Sequence, residues 1–455
     1  MVTGPMLLVI FVVSIALLLL AIIKFKVNPF LALMGVSILT GLGVRMPLPE
    51  IAGNISTGFG NTLKGVGIVI GLGIILGQIL AESKAINSIA AGMLKKVGNA
   101  RANLALTMSG WLISIPVFQD AAFVIFMPLV RQIKKATKKP LVSLVASLGV
   151  GTIAAHSLVI PTPGPVAVAG NMNLNIGAFL IYSIIVSLPA TLIGGVLYAK
   201  YLEKQAFKNG TDTDYPDEDL ASDGKVEMDT AKLPSMALSL FVLLFPLVLI
   251  LVGSIMALVL PEGNAAKPIF AFFGDKNIAL FLGVIVGFIA LKDYFTKSTN
   301  EIIMEATQSA GLIFLITGAG GGFGTVINAS GIGQFLVDTL TAFNISLIVL
   351  GFVLSQVLRS AQGSTTVALV TTSSILGPLV ASTAVSPILV GLAICAGGIG
   401  MSLPNDSGFW VLSNYSGLNV KDTIKAWTVG GTIVGLSAFA IILVLSLIPG
   451  LPGLY

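Results

Sequence analysis

Long apolar runs leave this chain few folds to choose from. Residues 6–23, 29–44, 177–199 and 236–260 are almost wholly hydrophobic, and the charged residues gather in short clusters between such runs. An apolar run of roughly 18–25 residues is long enough to cross a hydrocarbon core about 30 Å thick. Inside lipid every backbone polar group needs an internal partner, so only helices and closed barrels span a membrane. A barrel would show short alternating strands, and these runs do not alternate. Charged residues make up 10% of the 455, against about a quarter in soluble proteins. The expected class is therefore an all-α polytopic membrane protein, multi-pass in the cell inner (plasma) membrane. The first run lacks a basic leader and a small-residue cleavage site, so it is read as a retained helix and not a signal peptide.

One hydrophilic segment, 201–234, divides the chain. Between Tyr201 and Lys232 it holds nine Asp or Glu residues against four Lys, and it reads as a cytoplasmic linker between halves 1–200 and 235–455. The halves are related. Gly71, Gly73, Gly77 and Ser83 fall opposite Gly318, Gly320, Gly324 and Ser330, each pair 247 residues apart. Further on the offset becomes 243, where Gln119 meets Gln362, Val124 meets Val367 and Pro161 meets Pro404. Such internal repeats are how many secondary transporters are built.

Lysine and arginine placement indicates that the repeats are inverted. Lys95, Lys96 and Arg101 flank one end of 102–130, and Arg131, Lys134, Lys135, Lys138 and Lys139 flank the other. Both ends then favour the cytoplasm, which makes this segment a re-entrant hairpin with its tip at Gln119-Asp120. Its counterpart, 345–380, has no lysine or arginine at either end and carries a tip at Arg359–Ser364, as an opposed hairpin entering from outside would. The threading amounts to about eleven spans plus two opposed hairpins. Two spans should also be broken. Ile160-Pro161-Thr162-Pro163-Gly164-Pro165 sets three prolines in an apolar helix, and 397–408 does the same with glycines and Pro404. Broken backbone at membrane depth needs protein or a water-filled cavity around it, and its freed amides and carbonyls are ready ligands.

These breaks hold the chemistry-bearing residues. Asp120 and Asp406 are carboxylates at membrane depth, a costly placement that points to function or to helix capping. His156 is the only histidine, suited to proton relay or to plain packing. Arg359 either binds a carboxylate through its planar fork or fixes the hairpin tip to a neighbouring oxygen. Gln119, Thr162, Gln362, Ser364, Thr365, Asn405 and Ser407 supply neutral hydrogen-bonding groups, and Gly164 a close backbone approach. Cys395 stands alone, so neither an intramolecular disulfide nor a multi-cysteine metal site is open. No Walker, HExxH or strict GxGxxG motif occurs, and no ATP-driven pump, metalloprotease, cofactor or nucleic-acid partner is expected.

At these same blocks the chain resembles the gluconate:proton symporter (gluconate permease) family. Ile115–Asp120 (IPVFQD), His156–Ala169 (HSLVIPTPGPVAVA), Leu358–Ala368 (LRSAQGSTTVA) and Asn405–Trp410 (NDSGFW) carry the likeness. It extends over most of the chain outside the linker. The resemblance implies the fold of the wider ion-transporter superfamily, in which hairpin tips and broken helices form the site and one domain moves as an elevator. It also implies proton-coupled uptake of gluconate, a glycerate-like hydroxy acid or D-serine, in a homo-oligomer. Gln119-Asp120 and Thr162-Pro163 depart from the commoner family pattern and look nearer to a glycerate-type branch. On this reading Arg359, Ser364 and Thr365 hold the carboxylate, and Gln119, Gln362 and Asn405 hold the hydroxyls. Asp120, with His156 and Asp406, moves the proton. A Na⁺-coupled symporter using Asn405, Asp406 and Ser407 is the alternative. A passive anion facilitator or an intramembrane enzyme stands further off.

Overall fold

The computed structural model describes residues 2–98, 101–211, 215, 233–261, 263–332, 335, 346–381, 383–403 and 406–454. All regular structure among them is helical. In chain order the helices are α1 (Met6–Ile23), α2 (Pro29–Gly43), α3 (Leu48–Glu82), α4 (Ala85–Val97), α5 (Ala102–Ile113), α6 (Gln119–Thr137) and α7 (Leu141–Leu158). There follow α8 (Pro163–Asn171), α9 (Ile176–Leu192), α10 (Ala199–Asn209), α11 (Met236–Val259), α12 (Lys267–Gly274), α13 (Lys276–Ala290) and α14 (Thr299–Ala329). The chain closes with α15 (Leu347–Gln362), α16 (Thr365–Val380), α17 (Pro387–Gly397), α18 (Ser407–Ser416), α19 (Val420–Thr423) and α20 (Gly430–Ser446).

Local chemistry sets many of these boundaries. Asn28, Asn175 and Asp275 cap α2, α9 and α13 with side-chain oxygens that accept backbone N–H bonds. Ser298 and Glu301 form a reciprocal capping box at the start of α14. Helices α2 and α13 have the same length, and both their ends lie 247 residues apart. Ser83 and Ser330, also 247 apart, terminate α3 and α14.

Helices α3 and α14 are the longest and pack against each other antiparallel. Ile55 faces Gly322, Gly58 faces Gly321, and Phe59 lies over Gly318. Small residues let the two backbones approach at this crossing, the usual device where lipid supplies no hydrophobic drive between helices. Helix α3 bends by 48° between Leu48–Gly65 and Gly67–Glu82.

The remaining core is organised around α7, every residue of which is buried. A helix apolar all round belongs in the interior. It lies against α5 at Gly110 and Gly151, where a methyl group on either glycine would meet the other helix's backbone. Helix α17 is likewise buried from Ile388 to Gly397.

Among the described residues, five helices are long and apolar enough to cross a membrane, or seven if each of two bent pairs is one span. That is fewer than the eleven expected, because six further apolar helices run to only 10–17 residues. The hydrophilic segment begins as helix, not coil: Leu202 and Ala206 of α10 are buried, and Glu203 pairs with Lys139 at 2.7 Å. Residues 212–214 and 216–232 of that segment lie outside the described residues.

Candidate functional site

Both proline- and glycine-rich spans are broken at the expected places. Helix α7 ends at Leu158 and α8 starts at Pro163; α17 ends at Gly397 and α18 starts at Ser407. The other two segments are also helix–turn–helix. Helix α5 stops at Ile113 and α6 starts at Gln119, while α15 and α16 are joined through Gly363, which has a φ of 75°. A left-handed residue there suits glycine and closes α15, its N–H bonding to the Arg359 carbonyl at 2.9 Å.

Four helix N-termini, those of α6, α8, α16 and α18, come together at these breaks. A methyl group on Gly408 of α18 would lie 3.0 Å from Gln119 Nε2 and 3.3 Å from Asp120 Oδ1, which places the starts of α6 and α18 in contact. A methyl group on Gly164 of α8 would lie 3.0 Å from Leu369 and 3.7 Å from the Thr366 Cα, which joins α8 to α16. Thr365 Oγ1 donates to the Gly398 carbonyl at 3.2 Å and ties α16 to the α17–α18 break. The first amides of a helix have no intrahelical acceptor and carry the positive end of its dipole. Helix α6 leaves them uncapped, since Phe118 offers no side-chain acceptor. An anion is the natural occupant of such a convergence.

The single guanidinium at the breaks reinforces that reading. Arg359 is fully buried, and its Nη2 meets Asp406 Oδ2 at 2.6 Å. Of the two roles open to Arg359 in the sequence, the structure shows the one that fixes the turn to a carboxylate. It does so through one nitrogen only: Nε and Nη1 have no hydrogen-bond partner among the described residues. Asp406 is in turn fully engaged. It accepts from Arg359, from the Ser402 hydroxyl and, as the cap of α18, from the Gly408 N–H at 2.9 Å. Ser402 is held by Trp427 Nε1 at 2.6 Å, and its carbonyl accepts from Thr428.

The remaining candidates fall in the same region. Gln119 is buried, its Nε2 donating at 3.4 Å to Asp120 Oδ1 while its Oε1 has no partner among the described residues. His156 is buried with its ring centroid 5.9 Å from that of Phe118, and its Nδ1 has no partner among the described residues. Thr162 Oγ1 donates to the Val159 carbonyl at 2.5 Å, satisfying one oxygen that the break releases. Ser364 caps α16 by accepting from the Val367 N–H at 3.4 Å. Asn405 lies outside the described residues, as do the side chains of Gln362 and Ser407.

Two groups escaped sequence reasoning. Ser402 and Trp427 support Asp406 from the α17–α18 break and from the turns between α19 and α20, and nothing local in the sequence links them. Asn171 ends α8 and donates from Nδ2 to Ser373 at 2.9 Å and Ser374 at 3.0 Å, both on α16. The repeat offset marks it, since Asn414 stands 243 residues later.

The family model described as GntP family permease matches residues 6–448. An inner membrane permease of Escherichia coli, YgbN, is 34% identical over 437 residues, covering 94% of this chain and 96% of that protein. The high-affinity gluconate transporter of the same species is 31% identical over 444 residues, covering 97% and 99%. Among solved structures, the Alcanivorax borkumensis YdaH transporter aligns over 88% of this chain and 89% of its own, with a TM-score of 0.64 at 15% identity, a likeness of fold.

Proposed function

This chain belongs to the GntP family of permeases, and from that premise we propose that it takes up a small hydroxy or sugar acid together with protons. It is a multi-pass membrane transporter, not an enzyme. The observation that carries the substrate class is Arg359, a fully buried guanidinium with two nitrogens that have no partner among the described residues, set where four helix N-termini converge. A carboxylate would complete its fork, with Thr365 and Ser364 beside it. Gln119 and Thr162, together with Gln362, Asn405 and Ser407 of the same sequence motifs, suit the hydroxyl groups, with the Gly164 backbone as a further donor surface.

Asp120 is the proton carrier on this reading. Asp406 accepts three hydrogen bonds, one of them within its ion pair with Arg359, whereas Asp120 has only the long contact from Gln119 among the described residues. His156, whose ring packs 5.9 Å from that of Phe118 two residues before Asp120, would serve as the relay to that carboxyl.

Alternating access follows from two inverted repeats moving between unlike contacts. Gly77 of α3 abuts the carbonyl of Pro116, at the first turn. Its repeat partner, Gly324 of α14, abuts the carbonyl of Ser374, not that of Arg359, the repeat partner of Pro116. Ser374 lies nine residues beyond Thr365, about 14 Å along a helix. The two halves thus meet the α3–α14 pair at unequal depths, and exchanging those contacts generates a second state. This supports an elevator movement of α5–α8 and α15–α18 along α3 and α14, with re-entrant hairpins at 102–137 and 347–380.

Purified protein in proteoliposomes tests the proposal. Labelled gluconate and glycerate should accumulate above equilibrium under an inward proton gradient and exchange in counterflow. Accumulation that needs Na⁺ at a fixed pH gradient would replace the proton, and uptake that never exceeds equilibrium would remove coupling altogether.

A further inference from the structure

Helix α3 carries a cation near its midpoint that the site described above does not use. Lys64 is the seventeenth residue of α3, about 24 Å along it at 1.5 Å per residue, and immediately precedes the bend. It is exposed, and it makes no ion pair or hydrogen bond among the described residues. Ser56, Thr57, Gly60 and Asn61 are exposed on the same side of the helix. Such a face suits lipid poorly, and an ionisable residue within a membrane-crossing helix faces protein or a water-filled cavity.

A polar cavity begins one helical turn away, at Asn61, although Lys64 itself is not in its wall. A space of about 360 Å³ lies between the α3–α14 pair and the ends of α8 and α16, with Asn61, Thr62, Asn171, Thr325, Asn328 and Ser374 in its wall. Its lining contains amides and hydroxyls but no charged side chain. Asn61 lies three residues before Lys64, so the two are neighbours on the helix surface. Lysine and arginine placement threads the cavity to the outer side. Asn171 ends the 31-residue span that begins at Leu141, next to the basic cluster Lys134–Lys139 that marks the cytoplasm.

We propose that Lys64 and this neutral cavity form an outer vestibule that captures the anionic substrate before it reaches Arg359. The ammonium attracts the carboxylate from outside, and the amides and hydroxyls bind the polyol chain. A flexible, strongly hydrated lysine suits a transient contact, whereas the planar, buried Arg359 suits the site of closure. The cavity lacks carboxylates that would repel an anion. This inference rests on the transporter reading and adds the route to its site.

The test compares initial uptake rates of labelled gluconate by wild type, Lys64→Gln and Lys64→Arg in proteoliposomes at two ionic strengths. Lys64→Gln is expected to raise KM about 5- to 10-fold at low salt with the maximal rate nearly unchanged, and to abolish the rise of KM with salt. Lys64→Arg should keep both properties. A KM and salt dependence like those of wild type in Lys64→Gln would overturn the vestibule role while leaving the transporter reading intact. So would a changed oligomeric state with unaltered KM, which would place Lys64 against another copy of the chain. Absence of uptake by wild type would instead remove the transporter substrate reading itself.

Discussion

Arg359 and Asp406 meet at 2.6 Å, both buried, and join α15 to α18 across 47 residues of sequence. The corresponding positions in the first half, 243 residues earlier, are Pro116 and Pro163. Only the second half therefore carries a charged clamp between its turn and its broken helix. That asymmetry gives the site a fixed cation on one side and leaves Asp120, on the other, free of an ion pair among the described residues.

Removing one member of the clamp should be more harmful than removing both. Asp406→Asn keeps a good helix cap for α18 but strands the guanidinium, an expected loss of about 3–5 kcal/mol. Arg359→Gln combined with Asp406→Asn should recover part of that stability but no uptake. Thermal unfolding in detergent, with and without gluconate, separates the two effects.

Asp120→Asn should uncouple transport without destroying the site. Counterflow, which needs no net proton movement, is expected to persist at no less than about a tenth of the wild-type rate. Accumulation driven by a pH gradient should vanish. Unchanged accumulation would transfer the proton to another group.

Glycine contacts between the α3–α14 pair and the helices proposed to move should tolerate no side chain. Gly77→Ala places a methyl group against the Pro116 carbonyl, and Gly324→Ala places one 2.5 Å from the Ser374 carbonyl. Backbone cannot yield as a flexible side chain does, so each substitution should cut uptake at least tenfold while Gly60→Ala, with open space around it, has little effect. Uptake assays on equal amounts of membrane-inserted protein decide the point.

Exchange of contacts between repeats can be trapped chemically. With Cys395, which is buried, replaced by serine, a Gly324→Cys/Ser374→Cys pair should cross-link in the present state. A Gly324→Cys/Ser360→Cys pair should cross-link only if the domain moves, because Ser360 is the repeat partner of Val117 beside the Gly77 contact. Cross-linking of the first pair alone, under every gradient and substrate condition, would argue against the movement.

Asn171→Leu removes the amide bonds that hold α8 to α16 and leaves two serine hydroxyls and an outer cavity without it. A loss of about 1–3 kcal/mol is expected. The melting temperature in detergent should fall accordingly, and Asn171→Gln should fall less.

Much of this was legible in residue order because lipid permits few backbone solutions. Apolar runs must be helices, three prolines at 161–165 must interrupt one, and glycine and serine positions repeated at 247 and 243 residues mark related halves. The observed ends of α1, α2 and α11 lie within a residue of the apolar runs that suggested them. Residues at the four breaks were also identifiable, since polar groups at membrane depth are rare. Their partners were not. Arg359 could be read as a free anion ligand or a structural tie, and only the close approach of α15 and α18 showed that one of its nitrogens serves the second role. Ser402 and Trp427 stand 25 residues apart, and Thr62 and Asn171 lie 109 apart yet border one cavity. Lys64 is set apart only by the exposed polar face of α3 around it and by the cavity that begins at Asn61. Local sequence determines where a chain in lipid must be helical and where it must break. Which polar groups then satisfy one another, and which remain open to a substrate, depends on the packing of helices distant in sequence, and that only the tertiary structure decided.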